Sequence, residues 1–299
     1  MATALRTPDD RFDNLPGYDF APNYIEDLPG YDGLRMHYLD EGPKDAKATF
    51  LCLHGEPSWS YLYRKMIPVF TAASCRVVAP DMFGFGRSDK PAEDETYTFH
   101  FHRNALLAFL DHMKLENVCL VCQDWGGLLG LTLPMDREET FTRLLIMNTG
   151  LAVGTGMTEG FKAWRQYNRD NPDLDVAALM QRATPVLSDA EAAAYAAPYP
   201  DVSYKGGVRR FPELVMVEPH MEGVDISKKA VDFWANRWTG ESFMAIGMQD
   251  PVLGPEVMHR MRELIRGCPE PMEVADAGHF VQEWGGPIAE EALKRFGLV

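Results

Sequence analysis

Asp124, Asp250 and His279 are the residues best suited to chemistry, two carboxylates and a histidine in that chain order. Asp124 stands in the run Val118-Cys-Leu-Val-Cys-Gln-Asp124-Trp-Gly-Gly127. Asn117–Val121 is apolar and β-branched, the pattern of a strand buried on both faces. Gly126 and Gly127, followed by Leu128–Leu131, read as a tight turn into a closely packed helix. A strand, one polar residue and a helix, with small Cys122 and Gly126 two residues to either side, make a nucleophile elbow. Larger flanks would collide in so sharp a turn. Most such elbows carry serine at the apex, and here it is a carboxylate, already ionised at neutral pH. The ester it forms has its acyl carbon in the protein. Such a group suits displacement at a saturated carbon, after which water attacks the carboxyl carbon of Asp124. Asp is also a favoured helix N-cap, and the short motif alone leaves both readings open.

The order Asp124, Asp250, His279 is the nucleophile–acid–histidine order of α/β hydrolases. His279 follows the last expected strand and a glycine, and is read as the general base. Asp250 would hold the other ring nitrogen and stabilise the imidazolium, although Asp before Pro251 also forms plain turns. The alternative place for this acid, after the preceding strand, holds Asn148, which cannot carry the charge. His54-Gly55-Glu56-Pro57 is expected to set the backbone N–H of Glu56 beside that of Trp125, an oxyanion hole for a tetrahedral intermediate. It is equally a strand-to-helix turn, and can be both. The Trp125 indole N–H donates and cannot accept, which suits a departing anion. Trp164 could add a second indole, although composition alone favours a packing residue on a helix face.

These residues need strands to carry them. Strands are expected at Leu34–Leu39, Ala48–Leu53, Cys75–Ala79, Asn117–Val121, Leu144–Met147, Phe243–Ile246 and Met272–Ala275. Helices are expected at about Ser60–Ala73, Thr98–Met113 and Pro287–Phe296. Residues 1–33, rich in Pro, Gly, Asp and Tyr, read as turns. The glycine loop Gly84-Phe-Gly86 lacks both the spacing and the following helix of a dinucleotide fingerprint. From 151 to 223 the pattern holds helical segments and no convincing strand. The expected architecture is therefore α/β: a mostly parallel central sheet flanked by helices, with a helical cap inserted after the sixth strand. The core domain spans 1–150 and 224–299, and the cap 151–223. Asp124, Asp250, His279 and the His54–Pro57 loop all fall at carboxyl ends of strands, where ligands of such sheets bind.

Length and composition agree with one α/β domain carrying an insertion: 299 residues, 46% of them apolar. The formal net charge of −15 argues against nucleic acid or an anionic membrane as partner. No apolar run approaches the ~18 residues of a membrane span, and the first ten residues lack the apolar centre of a signal peptide. Cys119 and Cys122 would point to opposite faces of a strand, which disfavours a metal or redox pair. With five cysteines, an odd number, a reducing cytoplasm is the expected compartment.

These motifs, together with Arg6–Asp9, Leu28–Gly30, Leu51–Met66, Gly84–Pro91, Phe243–Met248 and Asp276–Glu283, resemble the haloalkane dehalogenases. The likeness is to the subfamily with an Asp-His-Asp triad and a cap-borne tryptophan, known for degrading 1,2-dichloroethane. It covers nearly the whole chain and implies an α/β-hydrolase fold that cleaves carbon–halogen bonds to an alcohol, a halide and a proton. By position it implies Asp124 as nucleophile, His279 as base and Asp250 as acid. Trp125 and Trp164 would bind halide, with the oxyanion hole from Glu56 and Trp125. Phe161, Phe211, Pro212, Val215, Val252 and Leu253 match apolar pocket positions. The reactants implied are a small apolar halogenated alkane and water, with no metal or organic cofactor and a monomeric protein. The cap start, Leu151–Gly160, is shorter than in that subfamily, so its particular small substrate is not carried over. The nearest rival is an epoxide hydrolase, which would need cap tyrosines as donors; Tyr167, Tyr195, Tyr199 and Tyr204 are available. Asp124 excludes a serine esterase. A catalytically silent receptor of the same fold would have no use for three chemical groups at strand ends.

Overall fold

The computed structural model describes residues 3–299. Eight strands make the main sheet: β1 (Asn23–Ile25), β2 (Met36–Glu41), β3 (Thr49–Leu53), β4 (Arg76–Pro80), β5 (Val118–Cys122), β6 (Phe141–Met147), β7 (Glu241–Gly247) and β8 (Met272–Val274). Their order across the sheet is β8-β7-β6-β5-β3-β4-β2-β1. Neighbours from β8 to β4 are parallel; β1 with β2, and β2 with β4, are antiparallel. Every residue of β3 and β5 is buried, as continuous apolar runs require when helices cover both faces of a parallel sheet.

Among the described residues ten α-helices accompany the sheet: α1 (Ile67–Ala72), α2 (Phe99–Met113), α3 (Asp124–Gly130), α4 (Glu159–Asp170), α5 (Val176–Ala183), α6 (Asp189–Ala196), α7 (Gly206–Leu214), α8 (Val224–Asp232), α9 (Pro255–Leu264) and α10 (Gly285–Arg295). The seven expected strands are present with ends moved by a few residues. The single helix expected over Ser60–Ala73 is instead a 3-10 turn, Ser60–Tyr63, and the short α1. Pro68 explains the break, because proline is tolerated in a first helical turn and not in an interior.

Among the described residues no strand lies between Met147 and Glu241. There α4, α5 and α6 start on side chains that satisfy free N–H groups, whereas α7 and α8 start on Lys205 and Gly223 without a side-chain cap. Thr158 caps α4, Asp175 caps α5, and Ser188 with Glu191 forms a reciprocal capping box on α6. This helical layer follows β6, the sixth strand of the sheet, and α4 packs on α7 while α5 packs on α6. Among the described residues no helix is long and apolar enough to cross a membrane.

Candidate active site

The elbow forms as its residue sizes require. β5 ends at Cys122, α3 begins at Asp124, and Asp124 itself sits at φ +50°. That left-handed conformation costs a non-glycine residue about 1–3 kcal/mol, and persists only where neighbours over-determine it. Two bonds do so: the Asp124 N–H donates to the Asn148 carbonyl at 3.0 Å, and Thr149 Oγ1 donates to the Asp124 carbonyl at 2.7 Å. Gly126 lets the first turn of α3 settle on β3, since a Cβ there would lie 2.0 Å from the Leu53 carbonyl oxygen. The capping reading fails. The N-cap is Gln123, and the Asp124 carboxylate turns away from α3 to accept from the backbone of Glu56.

The two oxygens of Asp124 face different partners. Oδ1 accepts the Glu56 N–H at 2.8 Å. Oδ2 faces His279 Nε2 at 3.5 Å. The Trp125 N–H, in the first turn of α3, belongs to the donors that have no partner within their own helix. The His54 ring fixes the loop that presents Glu56. Its Nε2 accepts from the Met82 N–H at 2.9 Å, and its Nδ1 lies 2.9 Å from the Gly55 carbonyl oxygen. Burial, then the Asp124 charge, push the Glu56 carboxyl well above its usual range, favouring its neutral form beside the ionised Asp124.

β7 and β8 bring the other two residues alongside. His279 Nδ1 lies 2.8 Å from Asp250 Oδ2. That oxygen also accepts from Asn148 Nδ2 at 3.0 Å, while Oδ1 accepts the N–H groups of Val252 at 2.8 Å and Leu253 at 3.1 Å. Burial alone would raise the Asp250 pKa, but the His279 charge and these donors hold it down at about 2. Burial disfavours the His279 imidazolium, yet Asp250 and Asp124 outweigh it and push its pKa well above the ordinary histidine value. Asn148, passed over as an acid, is thus the acid's hydrogen-bond donor. Gln123, which the sequence reading did not single out, also reaches His279.

A cavity of about 1030 Å³ opens over these groups, between the strand ends and the helical layer. Asp124, Trp125, Glu56, His279, Asp250 and Trp164 all line it, as do Phe161, Pro212, Val215, Val252 and Leu253. Phe211 departs from its expected position. It is fully buried with its ring 4.5 Å from that of Trp125, and backs the indole instead of lining the cavity. On α7, Phe211 and the lining residue Pro212 are adjacent, so the helix turns one toward the cavity and the other away.

The tryptophans divide by what their N–H groups do. Trp59, Trp234 and Trp238 donate to a protein oxygen. Among the described residues the indole N–H groups of Trp125, Trp164 and Trp284 donate to none, and of these only Trp125 and Trp164 line the cavity. Two of the cap tyrosines are committed elsewhere: Tyr195 donates to Glu283, and Tyr199 to the Pro57 carbonyl at 3.0 Å. Tyr167 lines the cavity and Tyr204 does not. Donors for a bare anion are thus present, whereas of the four cap hydroxyls two are spent, Tyr204 lies off the cavity, and Tyr167 remains.

Comparison with known proteins agrees. A family model described as the alpha/beta hydrolase fold matches residues 48–286. A haloalkane dehalogenase of Psychrobacter cryohalolentis is 43% identical over 297 residues, 98% of this chain and 97% of that protein. One of Mycolicibacterium paratuberculosis is 40% identical, covering 97% of each chain. The solved tetrameric structure of a haloalkane dehalogenase from Paraglaciecola agarilytica NO2 superposes with a TM-score of 0.98 at 52% identity, covering 99% of this chain and 100% of that one.

Proposed function

Because this chain belongs to the haloalkane dehalogenases, hydrolases of carbon–halogen bonds within the alpha/beta hydrolase fold, we propose that Asp124 is its nucleophile, His279 its base and Asp250 its acid. The observation that carries the assignment is the division of the Asp124 carboxylate. Oδ1 is tied to the Glu56 N–H, and Oδ2 is left toward His279 and the cavity. Oδ2 attacks the carbon bearing the halogen; the C–O bond forms as the C–halogen bond breaks. The halide leaves against the indole N–H groups of Trp125 and Trp164. Water then attacks Cγ of Asp124 as His279 Nε2 takes its proton and Asp250 stabilises the imidazolium. The oxyanion developing on Oδ1 is received by the N–H groups of Glu56 and Trp125. Collapse of the intermediate releases the alcohol and restores the carboxylate, and His279 passes its proton to solvent.

Core residues 1–150 and 224–299 supply the nucleophile, base and acid, and cap residues 151–223 supply Trp164 and the apolar wall. The cavity, about 1030 Å³, reaches the upper end of the range usual for small-molecule sites. This supports haloalkanes longer than two carbons as substrates. The five cysteines are free, which supports a reducing, cytoplasmic setting. The sequence reading expected a monomer; the relative from Paraglaciecola agarilytica, 52% identical, is tetrameric, which favours a tetramer for this chain. Sedimentation analysis separates the two.

The test is halide and alcohol release from chloro-, bromo- and iodoalkanes of increasing length, with an epoxide as control. Release of halide and alcohol in equal amounts supports the assignment. Epoxide turnover without halide release overturns it.

A further inference from the structure

Gln123 separates β5 from the nucleophile and is fully buried. Its amide nitrogen lies 3.1 Å from the backbone oxygen of His279 and 2.9 Å from His279 Nε2. A carbonyl oxygen only accepts, so the amide end facing it must be the NH2. In the neutral ring the same NH2 therefore donates to Nε2, and Nε2 offers a lone pair. The opposite ring nitrogen points the same way: Nδ1 faces the ionised carboxylate of Asp250 at 2.8 Å and must carry the proton. Two independent contacts select one tautomer. The Gln123 Oε1 atom is buried and, among the described residues, has no hydrogen-bond partner. The amide thus leaves its acceptor unused and spends its donors on His279.

We propose that Gln123 is a positioning residue that holds the Nε2 lone pair of His279 open, so that the imidazole can accept a proton from water. The inference rests on the reading of His279 as the base. Asp250 and Asp124 face the ring at 2.8 and 3.5 Å, with the buried Glu56 carboxyl, held toward its neutral form, beside Asp124, and a histidine between two carboxylates tends to stay protonated, useless as a base. Arg182 on α5 and Arg260 on α9 line the same cavity. Glu283, four residues beyond His279, is neutralised by Arg64 and Lys65. Against the carboxylates Gln123 places a donor on the one nitrogen whose protonation must be avoided. Once Asp124 is esterified its charge is gone, and the Gln123 N–H meets only the pull of Asp250 at the step that needs the base.

The experiment compares wild type with Gln123→Met, which fills the volume without a donor, and Gln123→Glu, which presents an acceptor. The readouts are the His279 ring-nitrogen NMR titration and the pH profile of alkyl-enzyme hydrolysis, formed from a primary bromoalkane. The His279 midpoint should rise in the order wild type, Met, Glu. Loss of one donor should move it by about one pH unit, slowing ester hydrolysis roughly tenfold near neutrality, with the rate regained at alkaline pH. A rate lowered equally at every pH, with unmoved midpoints, overturns the proposal in favour of a packing role. Should the variants not fold, the wild type decides alone. Above its midpoint the His279 proton must be on Nδ1, and a proton on Nε2 overturns the proposal. Steady turnover by His279→Phe would instead remove the base assignment, while the titration still reads the effect of Gln123.

Discussion

Gly55 and Asp124 meet across the gap between β3 and β5: a Cβ built on Gly55 would stand 2.2 Å from Oδ1 of Asp124 and 2.5 Å from its Cβ. The His54–Pro57 loop can hold the carboxylate only because residue 55 has no side chain. Gly55→Ala is therefore expected to fold and to push the carboxylate off the Glu56 N–H. A misplacement of about 1 Å costs on the order of a hundredfold in rate. Circular dichroism together with single-turnover halide release measures this, and near-normal release would mean that the loop yields instead.

Trp164→Phe should keep the fold and weaken halide binding. The indole of Trp164 lines the cavity with no protein acceptor, and phenylalanine retains the ring face without the N–H. Loss of a hydrogen bond to a charged group costs about 1.5–3 kcal/mol, roughly ten- to hundredfold in affinity. Bromide titration followed by tryptophan fluorescence reads it directly. Unchanged affinity removes Trp164 from the halide site.

Asp250 links the site to acid stability. Its folded pKa, about 2, lies below the ordinary 3.8, so its contribution is complete above pH ~4 and is lost as pH falls through ~2. The contribution is about 2 kcal/mol. Asp250→Asn lacks this dependence, so its urea midpoint should fall less steeply than that of wild type between pH 5 and pH 2 (about one Asp's worth of protons). The same substitution should slow ester hydrolysis, because an amide cannot stabilise the imidazolium. Parallel urea midpoints across that range would show that Asp250 gains nothing from His279 in the folded protein.

The strand ends were readable because burial on both faces writes an uninterrupted apolar run, as in Thr49–Leu53 and Val118–Cys122. Where the run is short and one face is open, that signal vanishes. β1, three residues paired on one side only at the sheet edge, went unread inside a stretch of turns. α9 also went unread; its arginines and glutamates dilute the periodicity, although Met258 and Met261 are buried. Asp124, Asp250 and His279 could be singled out in the sequence because elbow chemistry and chain order are local signals, and the structure brings the three side chains together. Phe211 backs Trp125 while Pro212 lines the cavity because neighbouring positions on a helix differ in direction, which residue type alone does not show. Gln123 was passed over because its role depends on a ring 156 residues away.

His279→Phe separates a carboxylate nucleophile from a serine mechanism. A serine hydroxyl needs the histidine for the first bond-making step, whereas Asp124 needs no deprotonation to attack. Its Oδ2 faces His279 at 3.5 Å, too long for a normal hydrogen bond, so the displacement is expected to proceed without a proton passing between them. The mutant should release about one halide per active site and then stop, as an accumulated covalent intermediate requires. Intact-protein mass spectrometry should find the protein heavier by the substrate's alkyl group, and digestion should place the adduct on the peptide containing Asp124. Steady multiple turnover would show that another group activates water. A folded mutant with neither burst nor adduct would mean that the displacement itself depends on His279, for instance by holding Oδ2 toward the cavity, and the division of labour between the two Asp124 oxygens would fall with it.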